Sequence, residues 1–303
     1  MKFHMFPNPW EETITELTEA GHQEVARDDA EFWVFNGGPE DFPESVPKGL
    51  GFVQAPFAGV EHVMDVIRSS GVRWANGAGL YDNTVAESTL ALLLAQLHAH
   101  KYVAQSGSWS NHQEVEDHTS FLFEDKTVAI VGAGGIAVRL IELLKPFGVE
   151  IIAVNRSGRE VPGADEVLTF KDINAVWPRA DYFVILAPLT DETYRMVNAD
   201  ALRAMPPHAV LVNVARGGLV DTDALVQALA DGEIAGAALD VTDPEPLPDG
   251  HPLWEDPRVV ITPHKANPPY SVRKRVASRA IESAASFAKD GTLDYEVDAE
   301  AGY

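Results

Sequence analysis

Three polar side chains in the second half of the chain have the types and placement for acid–base chemistry on an anion. Arg216 lies in Asn213-Val214-Ala215-Arg216-Gly217-Gly218, Glu245 in Asp243-Pro244-Glu245-Pro246, and His264 in Thr262-Pro263-His264. Each follows an apolar run that reads as a strand: Ala209–Val214, Ile234–Leu239 and Val259–Ile261. Ligands of open parallel sheets collect beyond the carboxyl ends of the strands, where these three would meet. Singly they read as a turn arginine, a solvated loop acid and a capping histidine. Together they form a permanent cation that grips carboxylates bidentately and a carboxylate–histidine pair able to exchange protons near neutral pH.

A glycine-rich turn lies upstream. Thr127-Val128-Ala129-Ile130-Val131 runs into Gly132-Ala133-Gly134-Gly135-Ile136-Ala137, a G-x-G-x-x-A pattern with a strand before it and a helix after it. That context raises the motif above chance and implies dinucleotide binding. Gly132 allows the tight turn, and Gly134 lets the backbone approach a pyrophosphate. Ala137 allows close helix–strand packing, and the helix start at Gly135 and Ile136 presents N–H groups and a positive dipole end.

The tip of the next strand bears on which dinucleotide. An NAD-binding unit places Asp or Glu there to hold the ribose 2′-hydroxyl. Here Val149–Val154 leads into Asn155-Arg156-Ser157-Gly158-Arg159, with no carboxylate. Arg156, Ser157, Arg159 and Asn155 instead offer donors to a 2′-phosphate. The expectation is NADP(H) preferred, with NAD(H) possible.

These residues must be positioned by parallel βα units, because short apolar runs alternate with helix-period segments. Strands are expected at Lys2–Phe6, Glu31–Phe35, Gly51–Gln54 and Val72–Ala75, then at Thr127–Val131, Val149–Val154, Tyr182–Leu186 and the three runs named above. An Ala/Leu-rich helix is expected over Val85–Val103, a polar arm over Ser106–Ser120, and a last amphipathic helix over Ser271–Ala288. The fold class is α/β, with two doubly wound parallel-sheet domains. Residues 1–100 with 272–303 would form a flavodoxin-like substrate domain, and residues 101–271 a Rossmann dinucleotide-binding domain.

Composition narrows the function classes. The chain has 303 residues, 46% hydrophobic and 23% charged, values of an ordinary globular protein. It has no cysteine, which excludes disulfides, thiolate nucleophiles, zinc ribbons and iron–sulfur ligation. The formal net charge of −23 repels nucleic acid and anionic membranes. No metal site, nucleic-acid partner or membrane span is expected, and a cytoplasmic location is.

Beyond these features, the chain resembles D-isomer-specific 2-hydroxyacid dehydrogenases along nearly all of its length. The glycine turn, Asn-Val-Ala-Arg-Gly-Gly, Gly236-Ala237-Ala238-Leu239-Asp240-Val241, Pro-Glu-Pro and Thr-Pro-His are similar to that family's motifs in order and spacing. Asp-Val-Thr-Asp-Pro-Glu-Pro-Leu-Pro and Asn-Arg-Ser-Gly-Arg resemble its glyoxylate/hydroxypyruvate reductase branch. Phe57-Ala58-Gly59-Val60-Glu61-His62 is similar to the family's substrate-carboxylate loop, Gly107-Ser108-Trp109 to its dimer arm, and Ala86-Glu87 to the start of its interdomain helix.

The resemblance implies hydride transfer between NADP(H) and a small 2-keto or 2-hydroxy acid. Arg216 would hold the substrate's carboxylate and carbonyl, His264 would be the acid/base, and Glu245 would orient it. Ala58 and Gly59 would offer N–H groups to the carboxylate, and Pro188, Val214 and Asp240 would lie around the nicotinamide and its ribose. A homodimer is implied as well. Two places depart from the family pattern: Gly135, where arginine is frequent, and Lys265-Ala266-Asn267-Pro268-Pro269, which replaces a run of small residues. The alternatives are an NAD-linked enzyme for another small acid, such as phosphoglycerate or formate, and a non-catalytic dinucleotide-sensing module.

Overall fold

The structure is a computed structural model that describes residues 1–123, 125–300 and 302. The chain divides into two compact units, Met1–Tyr81 with Asn267–Tyr303, and Asp82–Ala266.

The first unit holds β1 (Lys2–Phe6), α1 (Glu11–Glu19), β2 (Gln23–Glu24), β3 (Phe32–Phe35), β4 (Phe52–Gln54), α2 (Met64–Ser70) and β5 (Arg73–Ala75). The sheet is wholly parallel in the order β2-β1-β3-β4-β5, the flavodoxin-type arrangement. Every residue of β3 and β4 is buried, so these strands read as unbroken runs rather than alternating ones. The C-terminal helix Val272–Asp290 returns to this unit and packs on α1, where Thr13 Oγ1 donates to Arg273 O at 2.6 Å. The edge of β5 is covered by the chain end: Asn76 N donates to Tyr295 O at 3.0 Å and Val297 N to Trp74 O at 2.8 Å.

The second unit begins with α3 (Asp82–Leu97), α4 (His100–Ser106) and α5 (His112–Asp117). β6 (Thr127–Val131), α6 (Gly135–Leu144), β7 (Glu150–Asn155), β8 (Glu166–Thr169) and α7 (Ile173–Val176) follow. The unit closes with β9 (Tyr182–Ile185), α8 (Ala199–Ala204), β10 (Val210–Asn213), α9 (Thr222–Asp231), β11 (Gly236–Leu239), α10 (Pro252–Glu255) and β12 (Val259–Ile261). Its seven parallel strands run β12-β11-β10-β9-β6-β7-β8. The direction of winding reverses between β6 and β9, so the crevice of this open sheet lies where β6 ends in the glycine turn.

The boundaries differ from those expected at residues 100 and 271. Helix α3 falls in the second unit because it packs along α6 and against β10, β11 and β12, burying Val85, Ala86, Leu92, Leu93 and Leu97. Residues 267–271 fall in the first unit, and Ser271 Oγ donates to Asn267 Oδ1 at 2.9 Å ahead of the last helix. The expected Val85–Val103 helix is broken at Ala99, which adopts a left-handed φ of 50°. Lys101 then donates from Nζ to the carbonyls of Trp254 (2.7 Å) and Val259 (2.8 Å), and burial lowers its pKa. The polar arm is not irregular throughout, since it carries α5. Strands β2 and β8 are additional elements, each short, on a sheet edge and with no fully buried residue. No helix among the described residues is long and apolar enough to cross a membrane.

Candidate active site

The glycine turn sits at the reversal point of the second sheet. Gly132 has φ +105°, and a Cβ on it would fall 2.3 Å from the backbone nitrogen of Ala187, just beyond β9. Only glycine satisfies both constraints. Gly134 caps α6, and a Cβ there would meet nothing within 4 Å, so the space in front of the helix N-terminus is open. Ala137 is fully buried where α6 meets the sheet. This open cradle of N–H groups fits a dinucleotide pyrophosphate. A Cβ on Gly135 would fall 2.0 Å from Oδ2 of Asp82, the first residue of α3. The Asp82 carboxylate therefore occupies ground that a longer side chain at 135 would need, and it would have to turn aside to admit one.

The turn after β7 is built by Asn155. Its Nδ2 donates to Arg159 O at 2.8 Å and its Oδ1 accepts from Ser157 N at 3.1 Å, while the residue is buried. Asn155 thus shapes the turn from within, in contrast to the expectation that it donates outward to a phosphate. Arg156, Ser157 and Arg159 are exposed on the turn. Arg159 reaches back to the glycine turn, donating from Nη2 to Ala133 O at 3.1 Å.

The three candidate catalytic side chains leave the carboxyl ends of adjacent strands, as β10 pairs with β11 and β11 with β12. Buried Asn213 folds the Arg216 turn: its Nδ2 donates to Arg216 O at 2.9 Å and its Oδ1 accepts from Ala215 N at 3.1 Å. Gly217 lets that turn press on the next loop, since a Cβ there would fall 1.9 Å from Thr242 O. The half-buried Arg216 donates from Nη1 to Ala215 O at 2.8 Å. Val214 is buried beneath the turn. Pro188, just past β9, is exposed, and its carbonyl accepts from Thr193 Oγ1 at 2.7 Å.

His264 and Glu245 meet directly, with Nδ1 to Oε1 at 2.6 Å. A carboxylate partner makes Nδ1 the donor and leaves Nε2 for another ligand. Both side chains keep solvent access, 53% for His264 and 42% for Glu245. His264 has φ +52°, a left-handed conformation that non-glycine residues adopt at a cost and that clusters at functional sites.

Asp240 holds this loop in place. Its side chain is buried; Oδ1 accepts from Thr262 Oγ1 (2.5 Å) and Lys265 N (2.8 Å), and Oδ2 accepts from Ala266 N (2.9 Å). The Asp240 carbonyl accepts from His264 N at 2.8 Å. The resemblance sets Asp240 beside the nicotinamide ribose, whereas here its carboxylate brackets His264 on both sides. Sequence reasoning assigned no role to Asn213, Thr262 or Asp82. The first two lie inside quoted motifs, so only their tasks were missed.

Comparison with known proteins bears on this arrangement. The family model described as D-isomer specific 2-hydroxyacid dehydrogenase, NAD binding domain, matches residues 88–266. A protein of Corynebacterium melassecola named for the proB 3′ region is 51% identical over 305 residues, the whole of both chains. A glyoxylate reductase of Thermofilum pendens is 37% identical over 215 residues, 69% of this chain and 63% of its own. Among solved structures, a D-isomer specific 2-hydroxyacid dehydrogenase from Xanthobacter autotrophicus Py2, in complex with NADPH and MES, superposes with a TM-score of 0.85 at 22% identity, over 100% of this chain and 99% of that one. At that identity the likeness is one of fold.

Proposed function

The chain belongs to the D-isomer specific 2-hydroxyacid dehydrogenase family of NAD(P)-dependent enzymes, and from that premise we propose that it reduces small 2-keto acids of the glyoxylate and hydroxypyruvate kind, D-specifically and with NADP(H) preferred. The observation that carries this reading is the 2.6 Å Glu245–His264 pair on the strand end next to those bearing Arg216 and the glycine turn's sheet.

The dinucleotide, when bound, supplies the hydride. Gly132, Gly134, Gly135 and Ile136 would hold its pyrophosphate, Arg156, Ser157 and Arg159 would receive a 2′-phosphate, and Pro188 and Val214 would lie on the nicotinamide side. Arg216 polarises the keto oxygen and pairs with the carboxylate, an anion the protein's overall charge of −23 would otherwise repel. Ala58 and Gly59 offer N–H groups to the same carboxylate. His264 delivers a proton from Nε2 to the developing alkoxide, held in orientation by Glu245. In oxidation the proton returns by the same route.

A homodimer and a cytoplasmic location belong to the same proposal. Trp109 is 94% exposed, and Val103, Phe121 and Phe123 are exposed nearby in sequence, an apolar set suited to a second copy.

The test is steady-state oxidation of NADPH and NADH with glyoxylate, hydroxypyruvate and longer 2-keto acids. Turnover of the short acids with NADPH is expected. No turnover of any 2-keto acid with either dinucleotide would overturn the reading.

A further inference from the structure

We propose that Asn76 is a positioning residue for substrate binding, holding the Ala58–Gly59 peptide so that the Gly59 N–H is set for the substrate carboxylate. This rests on the reading above that the Ala58 and Gly59 N–H groups receive that carboxylate.

The two loops concerned leave neighbouring strands of the first unit, β4 and β5, which pair with Gln54 opposite Ala75. Asn76 follows β5 directly and is buried, with only 8% of its surface exposed. Its Nδ2 donates to Ala58 O at 3.2 Å, and its Oδ1 accepts from Ala78 N at 3.0 Å. A trans peptide is planar, with its C=O and N–H pointing in opposite directions. With the Ala58 carbonyl drawn toward Asn76, the Gly59 N–H is turned away from it, and the plane cannot rotate without breaking that bond.

Asn76 is itself held by a buried polar chain. Gln54, fully buried, donates from Nε2 to the carbonyls of Ala55 (3.0 Å), Ala75 (3.3 Å) and Asn76 (3.1 Å). Its Oε1 accepts from Ser283 Oγ on the C-terminal helix at 2.9 Å. Arg279, also on that helix and 6% exposed, donates from Nη1 to Ala78 O at 2.8 Å. These groups sit beside a core of Phe3, Phe32, Phe52, Ala280 and Ala284, where apolar side chains would pack as well. Gln54 is paired through both its nitrogen and its oxygen, and buried polar groups satisfied in this way rigidify a structure. Here the rigid part ends on the Ala58–Gly59 peptide, so its donor is oriented before any anion arrives and needs no reorganisation on binding.

The experiment compares wild type with Asn76→Asp, which keeps an acceptor for Ala78 N but replaces the donor to Ala58 O with a repelling oxygen. The KM for glyoxylate and the inhibition constant of oxalate, an unreactive carboxylate, are expected to rise together by about tenfold, the effect of losing one hydrogen bond. The kcat and the KM for NADPH should stay within about twofold, since uniform substrate binding alone is lost. A variant with lowered thermal stability but unchanged glyoxylate KM and oxalate inhibition would overturn the proposal. Asn76→Ala decides by the same criteria if the aspartate variant does not fold. Gly59→Pro, which removes the N–H itself, separates this proposal from its premise. If it leaves both constants unchanged, the carboxylate assignment fails and the proposal with it. If it raises both while the Asn76 variants do not, only the role of Asn76 fails.

Discussion

Glu245 Oε1 accepts from His264 Nδ1 at 2.6 Å, and the main-chain nitrogen of that same histidine donates to Asp240 O at 2.8 Å. The imidazole is thus fixed at its ring and at its backbone, and under the proposed function its Nε2 is the atom that would face the substrate oxygen. His264→Ala is expected to lower kcat by about 10²–10⁴-fold, the usual contribution of general acid–base catalysis. Dinucleotide affinity, read by fluorescence titration, should hardly change. Glu245→Gln keeps an acceptor for Nδ1 and should cost less than the histidine variant. Retention of a large part of wild-type turnover by His264→Ala would remove it from the mechanism.

Asp240→Asn tests the bracket around His264. An amide NH2 would confront one of the donors from Thr262, Lys265 or Ala266 and leave it unpaired in a buried site. Such a loss costs about 1–3 kcal/mol, and in a protein of this size each kcal/mol lowers Tm by roughly 2–4 °C. The kcat should fall along with Tm as the histidine loop loosens. Thermal unfolding monitored by circular dichroism, run beside kinetics, checks both; an unchanged kcat would show that the loop needs no such support.

Cofactor choice separates the two arginines of the turn after β7. Arg156→Ala should raise the KM for NADPH by about tenfold, the lower value of a hydrogen bond to a charged group, and leave NADH kinetics alone. Arg159 also donates to Ala133 O in the glycine turn, so Arg159→Ala should weaken both dinucleotides. Added salt should weaken NADPH more than NADH by screening the phosphate. Equal wild-type use of the two cofactors would refute the reading of this turn.

Acid stability depends in part on the chain end. Arg73 donates from Nε and Nη2 to the two carboxylate oxygens of Glu296 at 2.6 and 2.7 Å, and from Nη1 to Gly291 O at 2.6 Å. The Arg73 hydrogen bonds hold the Glu296 carboxyl below its ordinary value, against a smaller effect of burial. A carboxyl depressed in the folded state stabilises it above the unfolded value of about 4.3, and that contribution is lost as pH falls through the lower folded value. Glu296→Gln should therefore be slightly less stable than wild type at neutral pH, by less than about 1 kcal/mol for a solvent-exposed pair. The gap should close below about pH 4. Urea unfolding of both proteins across that range checks it; a gap constant with pH would contradict the pairing.

Much of this molecule could be read locally. Strands such as Thr127–Val131 and Tyr182–Ile185 are buried on both faces and announce themselves as apolar runs, and the G-x-G-x-x-A turn carries its strand and helix with it. The placement of Arg216, Glu245 and His264 beyond neighbouring strand ends was legible because each follows such a run, and parallel sheets gather strand ends on one side. Edge strands β2 and β8 were not: β2 is two exposed polar residues, and β8 is a four-residue strand that is only half-buried, with Leu168 packed against the core.

What the tertiary structure alone decided are partnerships between distant residues. Asp240 accepts from a loop some 25 positions on because β11 and β12 happen to be neighbours, and Asn76 reaches Ala58 because β4 and β5 are. The same holds for Asp82 against Gly135, joined by the packing of α3 on α6. Residue type and spacing report which side chains can donate, accept or carry charge. Which of them are already engaged, and which remain for a ligand, follows from strand order and helix packing, and no local pattern encodes those contacts.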